Sequence, residues 1–177
     1  MYLGNFIGNL GKKNSKLNFS GLAFNSREVK KNYIFFAIEG NKFDGNNYIN
    51  DAIYRGAKII ISKKNLKINK KGINFIKNKN PRKLLSELSY KFLLKRPKNL
   101  VAVTGTNGKS SVSDFYYQIL NLNKKKSASI GTIGIQFENK NKTITNTTLN
   151  PIKLRETINF LIKKKINNII MEASSHG

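Results

Sequence analysis

The stretch Val101-Ala102-Val103-Thr104-Gly105-Thr106-Asn107-Gly108-Lys109-Ser110-Ser111 decides how the rest of the chain is read. An apolar run of β type enters a short turn built on Gly105 and Gly108. A lysine and two hydroxyls follow, then a helix-compatible segment from Val112 to Leu122. This is the layout of a phosphate cradle. Glycines let backbone N–H groups close in on an anion, and the following helix adds the positive end of its dipole. Lys109 offers a mobile cation to the outer phosphates, and the Ser110 hydroxyl suits a magnesium ion. The usual pattern also wants a glycine where Val103 stands, so the turn Gly105–Ser110 is a tighter variant.

Working outward, the downstream half alternates strand and helix. The spacing predicts a strand over Leu100–Thr104, the cradle, the helix Val112–Leu122, and a strand over Ser127–Thr132. Ile133–Phe137 is expected to form a hairpin with Thr143-Ile144-Thr145 across a polar turn at Glu138–Lys142. Asn150 caps a helix opened by Pro151 and running to about Lys165, with Ile158, Leu161 and Ile162 on its apolar face. A buried-type strand, Asn168–Ala173, carries Glu172 near its end. Such alternation argues for a parallel sheet wound by crossover helices, with ligands beyond the carboxyl ends of the strands. Thr104-Gly105, Thr132 and Glu172 all fall at those ends. Residue types alone leave Glu172 open between a surface acid and a magnesium ligand.

The upstream half reads as a smaller α/β unit. Tyr33–Ile38 and Lys58–Ser62 are strands, Ile73–Ile76 a third, and Gly40–Gly45 a loop. Tyr48, Ile49, Ala52 and Ile53 recur at helical spacing up to Gly56. Pro81 opens a helix through about Leu94, with Leu84, Leu85, Leu88 and Phe92 on one face. Arg96-Pro97-Lys98-Asn99 breaks it, and the domain boundary is placed there, giving domains 1–97 and 98–177.

The chain has 177 residues, enough for a real core, and no cysteine, so neither disulfide nor thiolate metal site is available. Met1–Leu10 lacks the pattern of a signal peptide, and no apolar run approaches membrane-spanning length. A cytoplasmic protein without membrane insertion is the expectation, and a monomer. The formal charge of +24 would suit a nucleic-acid binder. The lysines are spread along the whole chain, however, beside equally heavy use of Asn and Ile, which share A/T-rich codons. No aromatic-interleaved basic stripe accompanies them, so no dedicated nucleic-acid partner is expected.

The turn Thr104–Ser111 resembles the ATP loop of the Mur ligase family, whose members add amino acids to the UDP-muramoyl precursor of peptidoglycan. Serine stands at Ser110 and Ser111 where that family commonly has threonine. Four further segments resemble its tripeptide-synthetase (MurE-type) branch. They are Asn25-Ser26-Arg27-Glu28-Val29, Phe35 to Gly45, Asn146-Thr147-Thr148, and Met171-Glu172-Ala173-Ser174-Ser175-His176-Gly177. Asn25 replaces an aspartate of the family pattern. The ATP turn alone would also suit folylpolyglutamate synthases.

The resemblance implies a small N-terminal α/β UDP-binding domain followed by the first half of a P-loop-type parallel-sheet ATPase domain. It implies ATP and Mg2+, with Gly105, Thr106, Asn107, Gly108, Lys109, Ser110 and Ser111 holding ATP, and Ser110 and Glu172 holding magnesium. Lys109 and Glu172 would be the catalytic pair. Ser26, Asn41, Lys42 and Phe43 would face the uridine diphosphate end, and Asn146, Thr147, Thr148, Ser174 and Ser175 the muramoyl-peptide part. The implied partners are UDP-N-acetylmuramoyl-dipeptide and a diamino acid, L-lysine or meso-diaminopimelate. ATP would phosphorylate the substrate carboxylate, and the incoming amine would attack the acyl phosphate to give an amide, ADP and phosphate. His176, the one histidine, is assigned a surface or supporting place. The chain is expected to be a fragment unable to complete amide synthesis alone. A non-catalytic UDP-sugar or nucleotide-binding module is the alternative.

Overall fold

The computed structural model describes all residues except 8–11, 41–42, 67–69, 94, 145–146 and 175–177, and only the backbone of residues 12 and 13. The chain divides into two compact units, Met1–Phe92 and Leu93–Gly177.

In the first unit four parallel strands lie side by side in sequence order: β1 (Gly21–Ala23), β2 (Tyr33–Ala37), β3 (Ala57–Ser62) and β4 (Asn74–Lys77). A short helix, α1 (Lys12–Ser15), precedes them. Ile34, Phe35, Phe36, Ile59, Ile60 and Ile61 are all buried, the continuous apolar signature of strands covered on both faces. Helix α2 (Ile49–Tyr54) puts Ile49, Ala52 and Ile53 into a core with Phe35, Ala37 and Ile60. Helix α3 (Pro81–Lys91) packs on β2 and buries Leu84, Leu85 and Leu88. Its start follows from Asn80, whose side chain accepts the Lys83 N–H at 2.9 Å, and from Pro81 in the first turn. It stops at Lys91, short of the expected Leu94; Leu94 itself lies outside the described residues. Phe92 instead leaves the helix and joins Phe6 and Phe19 in an aromatic cluster with centroids 4.8–5.8 Å apart.

The second unit is a five-stranded sheet of order β5-β9-β6-β7-β8. Strands β5 (Asn99–Val103), β6 (Ser127–Gly131) and β9 (Asn168–Glu172) are parallel, with β9 between the other two. Helix α4 (Lys109–Leu122) links β5 to β6, and α5 (Pro151–Lys163) leads into β9. Asn150 accepts the Lys153 N–H at 3.0 Å, the expected cap. Helix α5 sets Ile158 and Leu161 against Ala128, Ile130, Ile135 and Ile169.

Strands β7 (Gly134–Phe137) and β8 (Lys140–Lys142) add an antiparallel hairpin to the far side of β6. Its returning strand is Lys140–Lys142, not the expected Thr143–Thr145, of which Thr145 is outside the described residues. The turn is only Glu138-Asn139, both at positive φ (48° and 55°), which matches the strand twist and forces pairing to resume at once. At the opposite edge β5 is largely exposed, and α4 leaves Val112, Phe115, Ile119 and Leu122 in solvent.

Candidate functional site

Because β5, β6 and β9 run in parallel, their carboxyl ends meet at one side of the second unit, with Val103 beside Glu172 and Ile130 beside Met171. The chain leaves β5 at Val103 and turns through Thr104–Gly108 into α4, whose first helical residue is Lys109, three residues before the start expected from sequence. Gly108 caps the helix at φ 78°, a left-handed conformation that favours glycine. A methyl group added there would meet no atom within 4 Å, so the space before the helix start is open. Lys109 folds back over the turn. Its Nζ donates to the carbonyls of Gly105 (2.7 Å) and Thr106 (3.2 Å).

Beside this turn sits Glu172, only 3 % exposed. One carboxylate oxygen accepts the Thr132 N–H at 2.9 Å. The other accepts the hydroxyls of Thr132 and Ser110, each at 3.1 Å. Among the described residues no cation pairs with it. A buried carboxylate bonded only to neutral donors is a costly arrangement that a cation would relieve. The donors present, one carboxylate and two hydroxyls, are the hard oxygen set that magnesium prefers. No group of three or more acidic, histidine or cysteine side chains is gathered anywhere among the described residues. A magnesium ion here would therefore depend on few protein ligands and on its nucleotide, as such ions do.

The cluster extends to the segment before α5. Thr147 shares a hydroxyl–hydroxyl bond with Thr132 at 3.1 Å. Thr148 accepts the Ser174 N–H at 2.9 Å, and its hydroxyl lies 3.3 Å from that of Ser174. Thr147, Thr148 and Ser174 are thus brought to the same strand ends as Ser110 and Glu172.

The first unit holds a cavity of about 740 Å³, a size suited to a small organic ligand. Phe24, Ile38, Phe43 and Tyr48 supply its apolar and aromatic lining; Asn25, Ser26, Arg27, Asp51, Arg55 and Arg82 supply its polar groups. Asp51 receives Arg55 Nε through both oxygens, at 3.0 and 3.1 Å. The Ser26 hydroxyl, then Arg55, hold the Asp51 carboxyl below its usual range. The loop that brings Phe43 and Tyr48 to the cavity is tied down on its far side. Asp44 accepts the Asn46 N–H and Lys64 Nζ, each at 2.8 Å, and Ser62 donates to the Asn46 side chain at 2.7 Å. The Lys64 bond first, then that N–H, lower the Asp44 pKa to about 2.

Residues 103–177 match the Mur ligase middle domain, and residues 18–93 the Mur ligase family catalytic domain. The chain belongs to the Mur ligase family. Among its relatives, the UDP-N-acetylmuramoyl-L-alanyl-D-glutamate–2,6-diaminopimelate ligase of Rickettsia prowazekii (strain Madrid E) is 41% identical over 175 residues, covering 96% of this chain and 36% of that protein. The ligase of the same name from Wigglesworthia glossinidia brevipalpis is 44% identical over 173 residues, covering 92% and 34%. The chain thus spans about a third of the length of these curated relatives. A solved diaminopimelate ligase of this kind shares the fold over 100% of this chain and 36% of its own, at TM-score 0.83 and 23% identity. A MurF ligase from Thermotoga maritima in complex with ADP matches at TM-score 0.56 and 21% identity, over 87% of this chain and 32% of its own.

Of the Mur ligase residues singled out in the sequence, Gly105, Thr106, Asn107, Gly108, Lys109, Ser110 and Ser111 lie on the turn and first helical turn, and Glu172, Thr147, Thr148 and Ser174 gather beside them. Ser26 and Phe43 line the cavity of the first unit. Asn41, Lys42, Asn146, Ser175 and His176 fall outside the described residues. Sequence reading noted Thr132 only as a strand end and missed its two hydrogen bonds to Glu172. It also missed Asp51, Arg55 and Arg82. Their signal, charged residues near helix ends, is shared by most surface helices.

Proposed function

We propose that this chain is the substrate- and ATP-binding front portion of a cytoplasmic ligase that joins a diamino acid to UDP-N-acetylmuramoyl-L-alanyl-D-glutamate for peptidoglycan. Its supporting relatives carry the name of a diaminopimelate ligase, which favours diaminopimelate over lysine. The observation that carries the reading is the buried Glu172 carboxylate bonded to the Ser110 hydroxyl one residue into the helix that follows the Gly108 turn.

In this reading the backbone amides of Gly105–Ser111 face the ATP phosphates. Lys109 gives up the Gly105 and Thr106 carbonyls for the outer phosphates, a stronger charge-assisted bond. Ser110 and Glu172 would hold magnesium, which would supply neutralisation of phosphate charge when bound. Thr132 fixes the rotamer of Glu172 through two bonds, so the carboxylate is set before the nucleotide arrives. Thr147, Thr148 and Ser174, with Asn146 and Ser175, receive the muramoyl-peptide end; Ser26 and Phe43, with Asn41 and Lys42, receive the uridine end. The substrate carboxylate takes the terminal phosphoryl group, ADP leaves, and the amine of the diamino acid displaces phosphate. The protein supplies alignment and charge and needs no nucleophile of its own. The exposed β5 edge and the apolar side of α4 suit packing against the remainder of a larger ATPase sheet.

The test is a chimera in which this chain replaces the matching third of the Wigglesworthia relative. Diaminopimelate-dependent ADP release with UDP-N-acetylmuramoyl-L-alanyl-D-glutamate is expected, and Lys109→Ala should abolish it. ATP hydrolysis indifferent to both substrates, or unchanged by Lys109→Ala, would refute the reading.

A further inference from the structure

The cavity of the first unit takes its cations from three separate elements. Arg27 stands in the 3-10 turn Ser26–Glu28, Arg55 caps the end of α2, and Arg82 lies in the first turn of α3. Asp51 is the one carboxylate among the described lining residues. It is committed to Arg55 through two short contacts, which leaves that pair near neutral. Arg27 feels the Asp51 charge at longer range. Arg82 has no such partner. The first turn of α3 contains no acid, the Glu87 carboxylate of that helix faces Lys83 at 3.9 Å, and among the described residues Arg82 makes no ion pair.

The start of a helix carries partial positive charge, so a cation in its first turn is mildly unfavourable. Arg82 is exposed and contributes no buried packing. Its position is accounted for if an anion enters the cavity. Among the described residues the lining supplies three guanidinium groups against one carboxylate, an excess of two positive charges. That excess equals the charge of a diphosphate diester, and the aromatic walls Phe24, Phe43 and Tyr48 offer the apolar surface a base or sugar requires. A guanidinium fork also matches phosphate oxygens in a geometry an ammonium group cannot reproduce.

We propose that Arg82 is the diphosphate-binding residue of this cavity and makes it select nucleotides over nucleosides. The inference rests on the reading of the cavity as the uridine-nucleotide end of the site, and it adds the residue that senses the phosphates.

The experiment titrates the 177-residue chain with UDP and with uridine by calorimetry, alongside Arg82→Ala and Arg82→Lys. Arg82→Ala should weaken UDP at least about 10-fold while leaving uridine within about 2-fold, and Arg82→Lys should fall between. In the unaltered chain, inorganic pyrophosphate should displace UDP and shift the Arg82 Nε–H resonance. That measurement needs no variant to fold. UDP bound equally by Arg82→Ala, UDP and uridine weakened by one common factor, or a pyrophosphate titration that leaves Arg82 unmoved would each overturn the inference alone. A chain that binds neither UDP nor uridine removes the nucleotide reading of the cavity as well.

Discussion

Gly131→Ala tests the geometry around Glu172 from a residue that is itself given no ligand-binding role. Gly131 ends β6 with its Cα against the buried carboxylate. A methyl group built there would stand 2.1 Å from Glu172 Oε1, 2.4 Å from Cδ and 2.6 Å from Cγ. Ordinary contact begins beyond about 3.4 Å, so the carboxylate must move by roughly 1 Å or more. A flexible side chain at the surface would swing away at little cost. Glu172 is buried and holds three hydrogen bonds, from Thr132 N–H and from the hydroxyls of Thr132 and Ser110. Losing two of them, at about 1.5 kcal/mol or more each for a charged acceptor, gives a destabilisation of about 3 kcal/mol.

The assay is urea unfolding followed through backbone amide resonances of β6 and β9, so that the second unit is read by itself. The decisive arm is the same substitution in a Glu172→Ala background, which removes the three atoms the added methyl group would meet first. There the cost should fall below about 1 kcal/mol, a coupling of about 2 kcal/mol between the two positions. Equal costs in both backgrounds would place the strain in the β6 backbone and not in the carboxylate, contrary to expectation.

Other expectations follow from the same structure. Leu161→Ala empties a fully buried place between α5 and the sheet and should destabilise the second unit by about 3 kcal/mol in the same urea assay. Asn150→Ala removes the side-chain acceptor of the Lys153 N–H and should cost about 1 kcal/mol, read as fraying of the first turn of α5 by hydrogen exchange. Asp44 has a folded pKa of about 2 against an ordinary 3.8, so its contribution is complete above pH 4 and is lost as pH falls toward 2. A carboxyl-detected titration should place its midpoint near 2, and Asp44→Asn should flatten the acid-side loss of stability of the first unit over that window; a midpoint near 3.8 would contradict the Lys64 contact.

Much of the architecture was legible because its signals are local. The strands Tyr33–Ala37 and Ala57–Ser62 announce themselves as unbroken apolar runs, and α3 and α5 begin where an Asn-Pro pair demands it. The elements that escaped carry no such signal. Strand β1 is the three residues Gly21-Leu22-Ala23, too short for any alternation to register. Strand β8 is Lys140-Asn141-Lys142, wholly polar, and is specified by the turn before it and not by its own side chains. The site divides in the same way. The Gly108 turn is contiguous in sequence, so its chemistry can be read directly. The bonds that Thr132 and Ser110 make to Glu172 span 40 and 62 residues, and only the placing of β9 between β5 and β6 brings them together. Arg82 reaches its cavity from a helix 27 residues beyond Arg55, in a stretch whose charge pattern looks like any solvated helix.

The central claim is that the turn before α4 binds a nucleoside triphosphate. Amide chemical shifts of the 177-residue chain, recorded as Mg-ATP is added, test it most directly. Saturable movement of the Gly105–Ser111 and Thr132 amides is expected, diminished when magnesium is withheld and lost in Lys109→Ala. Saturating shifts that spare this turn, or that persist unchanged in Lys109→Ala, would contradict it.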